Sequence, residues 1–149
     1  MRIVALAILL VSVVPAAAGR AGGGVSSPDP AESRVHRVDL AGNQFLPRRL
    51  EIVVGDAVEF VNGMGGPHNA AFWPDSLPAG ARDPLARVLP DTIAPLIGPL
   101  LFEPDQRWTV TFAGVPPGRY PYYCLPHVVG GMVGEIEVRS EKGEARSSR

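Results

Sequence analysis

The chain has 149 residues, 46% hydrophobic and 19% charged, with a formal net charge of -1. One ordinary domain with a core fits these figures, and no basic field exists to draw nucleic acid or anionic lipid. A single Cys excludes an intramolecular disulfide and any zinc finger built on several thiolates. The 17 Gly and 16 Pro cut the chain into short segments, which favours strands and turns over long helices.

Met1-Arg2 gives a positive start, Ile3 to Val14 is apolar apart from Ser12, and Pro15-Ala16-Ala17-Ala18 offers small residues for cleavage. Charge, apolar stretch and small-residue site are the three parts of a secretory signal. About a dozen apolar residues are too few to span a bilayer, which takes roughly 20. No Cys follows to carry a lipid. Residues 1–18 are therefore predicted to be a signal peptide cleaved after Ala18, with Ala21 as a second candidate. The mature chain is expected to be exported, periplasmic or extracellular, monomeric and without a membrane span. Residues 19–33, rich in Gly, Ala, Ser and Pro, read as a flexible leader, and residues 140–149 as a polar tail. Residues 34–139 then form one domain.

Period-two alternation recurs through that domain. Val35, Val38 and Leu40 begin it. Leu50, Ile52 and Val54 follow, closed by Gly55-Asp56, and Val58 and Phe60 resume the apolar face. Trp108, Val110 and Phe112 alternate with Thr109 and Thr111. Tyr120, Tyr122 and Cys124 alternate with Pro121 and Tyr123. Ile136 and Val138 alternate with Glu135 and Glu137. Pro116-Pro117-Gly118 is a tight turn between two such runs. The pattern predicts an all-β antiparallel sandwich or barrel. The Trp and Tyr side chains are expected to pack, with one Tyr hydroxyl tying a corner.

Pro74 to Pro104 departs from the pattern. Seven Pro residues stop any long helix, leaving room for one or two short turns. Its apolar residues, Leu85 to Leu101, pack on the sandwich, cover an edge or face a partner; packing is the favoured expectation.

Chemistry concentrates in Cys124-Leu125-Pro126-His127-Val128-Val129-Gly130-Gly131-Met132, a C-x2-H-x4-M spacing on a loop between two strands. A loop can turn three side chains toward one point, which a period-two strand cannot. In an oxidising compartment the lone Cys is either a buried inert hydrophobe or a thiolate protected by a metal. Thiolate, thioether and imidazole together suit copper: one Cys, two His and a weak Met make a blue-copper electron-transfer site. Zinc prefers a closed set without Met. The second His is taken to be His68, in Gly66-Pro67-His68-Asn69. His36, flanked by Arg34 and Arg37, is expected to be exposed and unligated.

Two blocks resemble the cupredoxins, most closely the plastocyanin-like small blue copper proteins. One is Pro67-His68-Asn69 with Phe72 and Leu77-Pro78-Ala79-Gly80. The other is Tyr120-Pro121-Tyr122-Tyr123-Cys124-Leu125-Pro126-His127 running to Met132-Val133-Gly134. Phe45-Leu46-Pro47 and Val54-Gly55-Asp56-Ala57-Val58 also look like the family's early strands. The resemblance implies a Greek-key sandwich over residues 34–139, one type 1 copper ion on His68, Cys124, His127 and Met132, and Asn69 cross-linking to the Cys-bearing loop. It further implies a single-electron shuttle between a redox protein donor and acceptor that dock transiently near His127. No carboxylate run follows Asp75, so the acidic patch that plant plastocyanins offer a basic partner is missing. A copper enzyme such as nitrite reductase needs a further catalytic copper and more His, and only His36 is spare. The chain is thus expected to be an electron carrier and not an enzyme, at most an electron-donating module of one. A copper chaperone or storage protein is the other alternative. A metal-free adhesion sandwich does not account for the ligand set.

Overall fold

The computed structural model describes residues 33–140; the predicted signal peptide, leader up to Glu32 and tail beyond Ser140 lie outside the described residues. Eight strands form: β1 (Val35–Ala41), β2 (Gln44–Leu46), β3 (Arg49–Val53), β4 (Ala57–Asn62), β5 (Ala71–Phe72), β6 (Arg107–Thr111), β7 (Gly118–Tyr123) and β8 (Val133–Arg139). They make two four-stranded sheets, ordered β2-β1-β4-β6 and β3-β8-β7-β5. The result is the expected all-β Greek-key sandwich, with parallel pairing in two ladders. β1–β4 and β3–β8 run parallel, while the β1–β2, β4–β6, β5–β7 and β7–β8 ladders are antiparallel. Alternation fixes which face a residue takes and is silent on strand direction. Here β2 and β3 carry the chain from one sheet to the other, so β4 returns beside β1 in the same direction.

The core lies between the sheets. Val38, Leu40, Phe60 and Val110 face Ile52, Tyr120, Tyr122, Ile136 and Val138, all essentially inaccessible. Phe45 meets Tyr122 edge-on with centroids 4.6 Å apart, and Phe60 stacks on Trp108 at 5.7 Å. Aromatic pairs of this kind add about 0.5–1.5 kcal/mol each beyond area burial. The Tyr120 hydroxyl donates to the Pro116 carbonyl at 2.5 Å and ties the turn before β7. Trp108 packs in the core and donates from Nε1 to the Pro90 carbonyl at 2.9 Å.

Tyr122 stands directly across the β7–β8 ladder from Gly134, where a Cβ would come within 2.5 Å of its ring. Only glycine leaves that space. The Tyr122 hydroxyl is fully buried and has no hydrogen-bond partner. Leaving a buried hydroxyl unpaired costs about 1–3 kcal/mol. Tyr122→Phe is therefore expected to stabilise the fold by about 1 kcal/mol and raise the thermal midpoint by a few degrees. A lower midpoint in calorimetry would mean that a buried water serves this hydroxyl.

The Pro-rich connection holds a 3-10 turn at Pro74–Ser76 and one short helix, α1 (Arg82–Val88). Leu85 of α1 and Leu89, just past its end, are buried. The helix stops at Leu89 because the residue before Pro90 is pushed to extended backbone. The connection then packs on the sandwich and also covers an edge. Phe72 of the edge strand β5 donates its N–H to the Leu96 carbonyl at 2.9 Å, and Gly98 donates to Ala70 at 3.0 Å. Among the described residues, no helix is long and apolar enough to cross a membrane.

His36 is not the exposed side chain expected from its neighbours. Its Nε2 lies 2.7 Å from Asp56 Oδ2, and only 26% of its side chain is accessible. The parallel β1–β4 register brings the start of β1 against the turn before β4, where Asp56 is buried.

Candidate metal centre

Two loops converge at one end of the sandwich. The first joins β4 to β5. Its base is Asn62, fully buried, whose Nδ2 donates to the Gly66 carbonyl at 3.0 Å and the Leu101 carbonyl at 3.1 Å. Its Oδ1 accepts from the Gly65 N–H at 3.0 Å. The next turn delivers His68, fixed by a two-way backbone bridge to Leu101 with N···O distances of 3.0 and 2.8 Å. Asn62 was not singled out in the sequence. An Asn before Gly-x-Gly-Gly reads as ordinary turn chemistry, and its role needs the distant Leu101.

The second loop joins β7 to β8. Cys124 and Met132 extend the ladder by one step, with the Cys124 N–H donating to the Met132 carbonyl at 3.1 Å. Between them Leu125–Gly130 forms a 3-10 turn opened by Pro126. The His127 N–H donates to the Cys124 carbonyl at 3.0 Å, and the Met132 N–H to the His127 carbonyl at 3.2 Å. Both ends of the loop thus grip the residue that carries the imidazole.

His68, Cys124 and His127 come together, one donor atom from each lying within 4.8 Å of the others. Cys124 Sγ is 3.7 Å from His68 Nδ1 and 3.4 Å from His127 Nδ1, and the two imidazole rings tilt at 38° with centroids 4.7 Å apart. His68 and Cys124 are buried and His127 is partly exposed. Met132 is fully buried at the neck of the same loop. Asn69 links the loops as expected. Its Oδ1 accepts from the Leu125 N–H at 2.8 Å, and its Nδ2 donates to the Gly98 carbonyl at 3.1 Å. His36 lies away from this cluster, on Asp56.

Burial pushes the Cys124 thiol up, while the Asn69 and His127 backbone N–H groups favour the thiolate. Burial also holds the His68 imidazole below its ordinary value, and repulsion from His127 adds to this. A neutral His68 keeps its lone pair free for a metal at physiological pH. A thiol beside two imidazoles, with one buried thioether nearby, is a mixed soft and borderline donor set, and such a set fits copper.

The comparisons agree with that chemistry. Residues 34–139 match the model of the copper binding proteins of the plastocyanin/azurin family. The chain is 36% identical over 135 residues to a plastocyanin of Synechococcus sp. (strain JA-2-3B'a(2-13)), covering 89% of this chain and 91% of that one. It is 37% identical over 114 residues to a plastocyanin of Nostoc punctiforme, covering 73% and 77%. Among solved structures, oxidised plastocyanin of Dryopteris crassirhizoma superposes with a TM-score of 0.56 at 26% identity, over 70% of this chain and all of that one. An amicyanin variant in its reduced Cu(I) form superposes at 0.51 with 29% identity, over 73% and 85%. With copper as its cofactor, this chain belongs to the plastocyanin/azurin family of copper-binding proteins.

Proposed function

We propose that the chain is an exported, monomeric one-electron carrier whose copper is held by His68, Cys124, His127 and Met132. The carrying observation is the gathering of one thiol and two imidazoles from two loops, with only His127 partly exposed. Bound copper supplies the one-electron couple. The protein's part is to hold the donors still. The bridges at Asn62, Asn69, Leu101 and the Cys124–Met132 neck brace both loops, which suits a centre that must change little between charge states. His127 lies between the exposed Leu125 and Val129, 42% and 99% accessible, in a turn where a donor or acceptor protein can dock. We read residues 34–139 as the carrier domain, behind the signal of residues 1–18 and the leader of residues 19–33. The chain is read as a carrier and not as an enzyme.

The test is Cu(II) added to the purified mature protein. An intense thiolate-to-copper absorption with narrow hyperfine splitting is expected, and a colourless product with ordinary copper parameters would refute the reading. Met132→Leu is expected to keep the colour and shift the reduction potential, since a weak thioether tunes rather than holds the centre. Retention of copper through repeated oxidation and reduction separates a carrier from a chaperone or store, which yields its copper to an acceptor.

A further inference from the structure

Resting on the electron-carrier reading, we propose that a groove beside the metal loop seats a carboxylate-bearing segment of the redox partner, with Arg48 as its counter-charge. The groove has a volume of about 590 Å³, and Asn43, Gln44, Leu46 and Arg48 line one side of it, with Gly130 and Gly131 on the other. That volume lies within the range of about 300–1,000 Å³ typical of ligand sites.

The groove is preformed. A Cβ at Gly130 would come within 2.8 Å of Asn43 Nδ2, so the tip of the β1–β2 hairpin presses directly on the metal loop. It is also continuous with the exposed end of the centre. The Gly131 N–H bonds to the His127 carbonyl as well as to Val128, so the groove wall is the turn that presents the imidazole. A segment seated here lies one turn from His127.

Charge selects the occupant. Arg48 is the one charged residue that lines the groove, and, like Arg34, Arg49, Arg82, Arg87 and Arg119, it forms no ion pair among the described residues. Asn43 and Gln44 add amide donors beside it. A guanidinium with neighbouring amides matches a carboxylate, which it can hold with two parallel hydrogen bonds. Exposed Leu46, at 48%, offers apolar contact to the rest of the segment. Glu103 and Asp105 lie at the opposite edge, in the loop entering β6. The order β2-β1-β4-β6 sets the two edges three strand spacings apart, roughly 14 Å. The ligand end is thus positive at one edge and negative at the other, and such a field orients an approaching partner.

The test has two arms. In the first, a hexaglutamate peptide is titrated into the apoprotein and amide shifts are followed by NMR. Shifts at Asn43, Gln44, Gly130 and Gly131 that vanish in Arg48→Glu support the groove; shifts elsewhere, or unchanged in that variant, overturn it. In the second, the Cu(I) protein is oxidised by anionic hexacyanoferrate(III) or cationic tris(phenanthroline)cobalt(III). Arg48→Glu is expected to slow the anion about five-fold at low ionic strength and speed the cation, with both effects shrinking at high salt. Arg87→Glu, on α1, serves as the control at a distant exposed site. Equal changes with both oxidants, or none, overturn the proposal. If the wild-type protein exchanges electrons with neither oxidant, the carrier reading fails, and the peptide arm still decides the groove.

Discussion

Cys124→Ser is expected to abolish the thiolate absorption of the copper-loaded protein and to weaken Cu(II) binding by more than roughly 100-fold. Loss of a mere outer partner of a metal ligand already costs about 10–100-fold. A serine hydroxyl is a hard donor that stays protonated at neutral pH, so both the soft anion and its colour disappear. The fold should survive. The side chain that changes is small, and no backbone hydrogen bond of either loop passes through the Cys124 sulfur. Circular dichroism and thermal melting of the apoprotein check this. Retained blue absorption in the variant would remove Cys124 from the ligand set.

Asp56→Ala is expected to cost about 2–4 kcal/mol, since each buried donor left unpaired costs about 1–3 kcal/mol. Asp56 is buried and accepts from the Arg34 N–H at 3.0 Å and the Val53 N–H at 3.2 Å, with His36 Nε2 2.7 Å away. Truncation strands two backbone donors and the imidazole together. The position matters because β1 and β4 are parallel, so no hairpin holds the start of β1 in register. Burial acts to push this carboxyl up, but the Arg34 N–H, His36 and the Val53 N–H outweigh it, leaving Asp56 below its ordinary value. Its stabilisation is therefore complete above the unfolded carboxylate value, about 3.9. It is lost as pH falls through the lower folded value. Urea unfolding of wild type and Asp56→Ala at pH 7 and pH 2.5 tests this: the gap between them should narrow in acid. A constant gap would show that charge on Asp56 contributes nothing.

Much of this was legible in the sequence because donor chemistry is local. The proposed ligands Cys124, His127 and Met132 share one loop, and His68, proposed from its Pro-His-Asn setting in preference to His36, is the imidazole the structure brings beside Cys124 and His127. Asn69 was named from the family resemblance, as the residue after His68; its partners Leu125 and Gly98 lie 56 and 29 positions away. What escaped depends on distance. His36 read as exposed because its neighbours are Arg, and its true partner, Asp56, is 20 positions away. Asn62 escaped because Leu101, 39 positions on, completes its role. The two parallel ladders escaped because alternation carries no direction. β5, with two residues, is too short for any period to show. The groove by Arg48 exists only where a hairpin and a metal loop touch.

The bond from Asn69 to the Gly98 carbonyl makes the Pro-rich connection a working part of the electron-transfer end. Asn69 spends one end of its amide on Gly98 and the other on the residue after Cys124. Anyone transplanting the metal loop into another scaffold must bring the stretch from Ala94 to Leu101 with it. Shortening that stretch to a simple turn would leave the Asn69 amide held by the Leu125 N–H alone, and the looser link would be expected to register at the sulfur as a changed colour and potential.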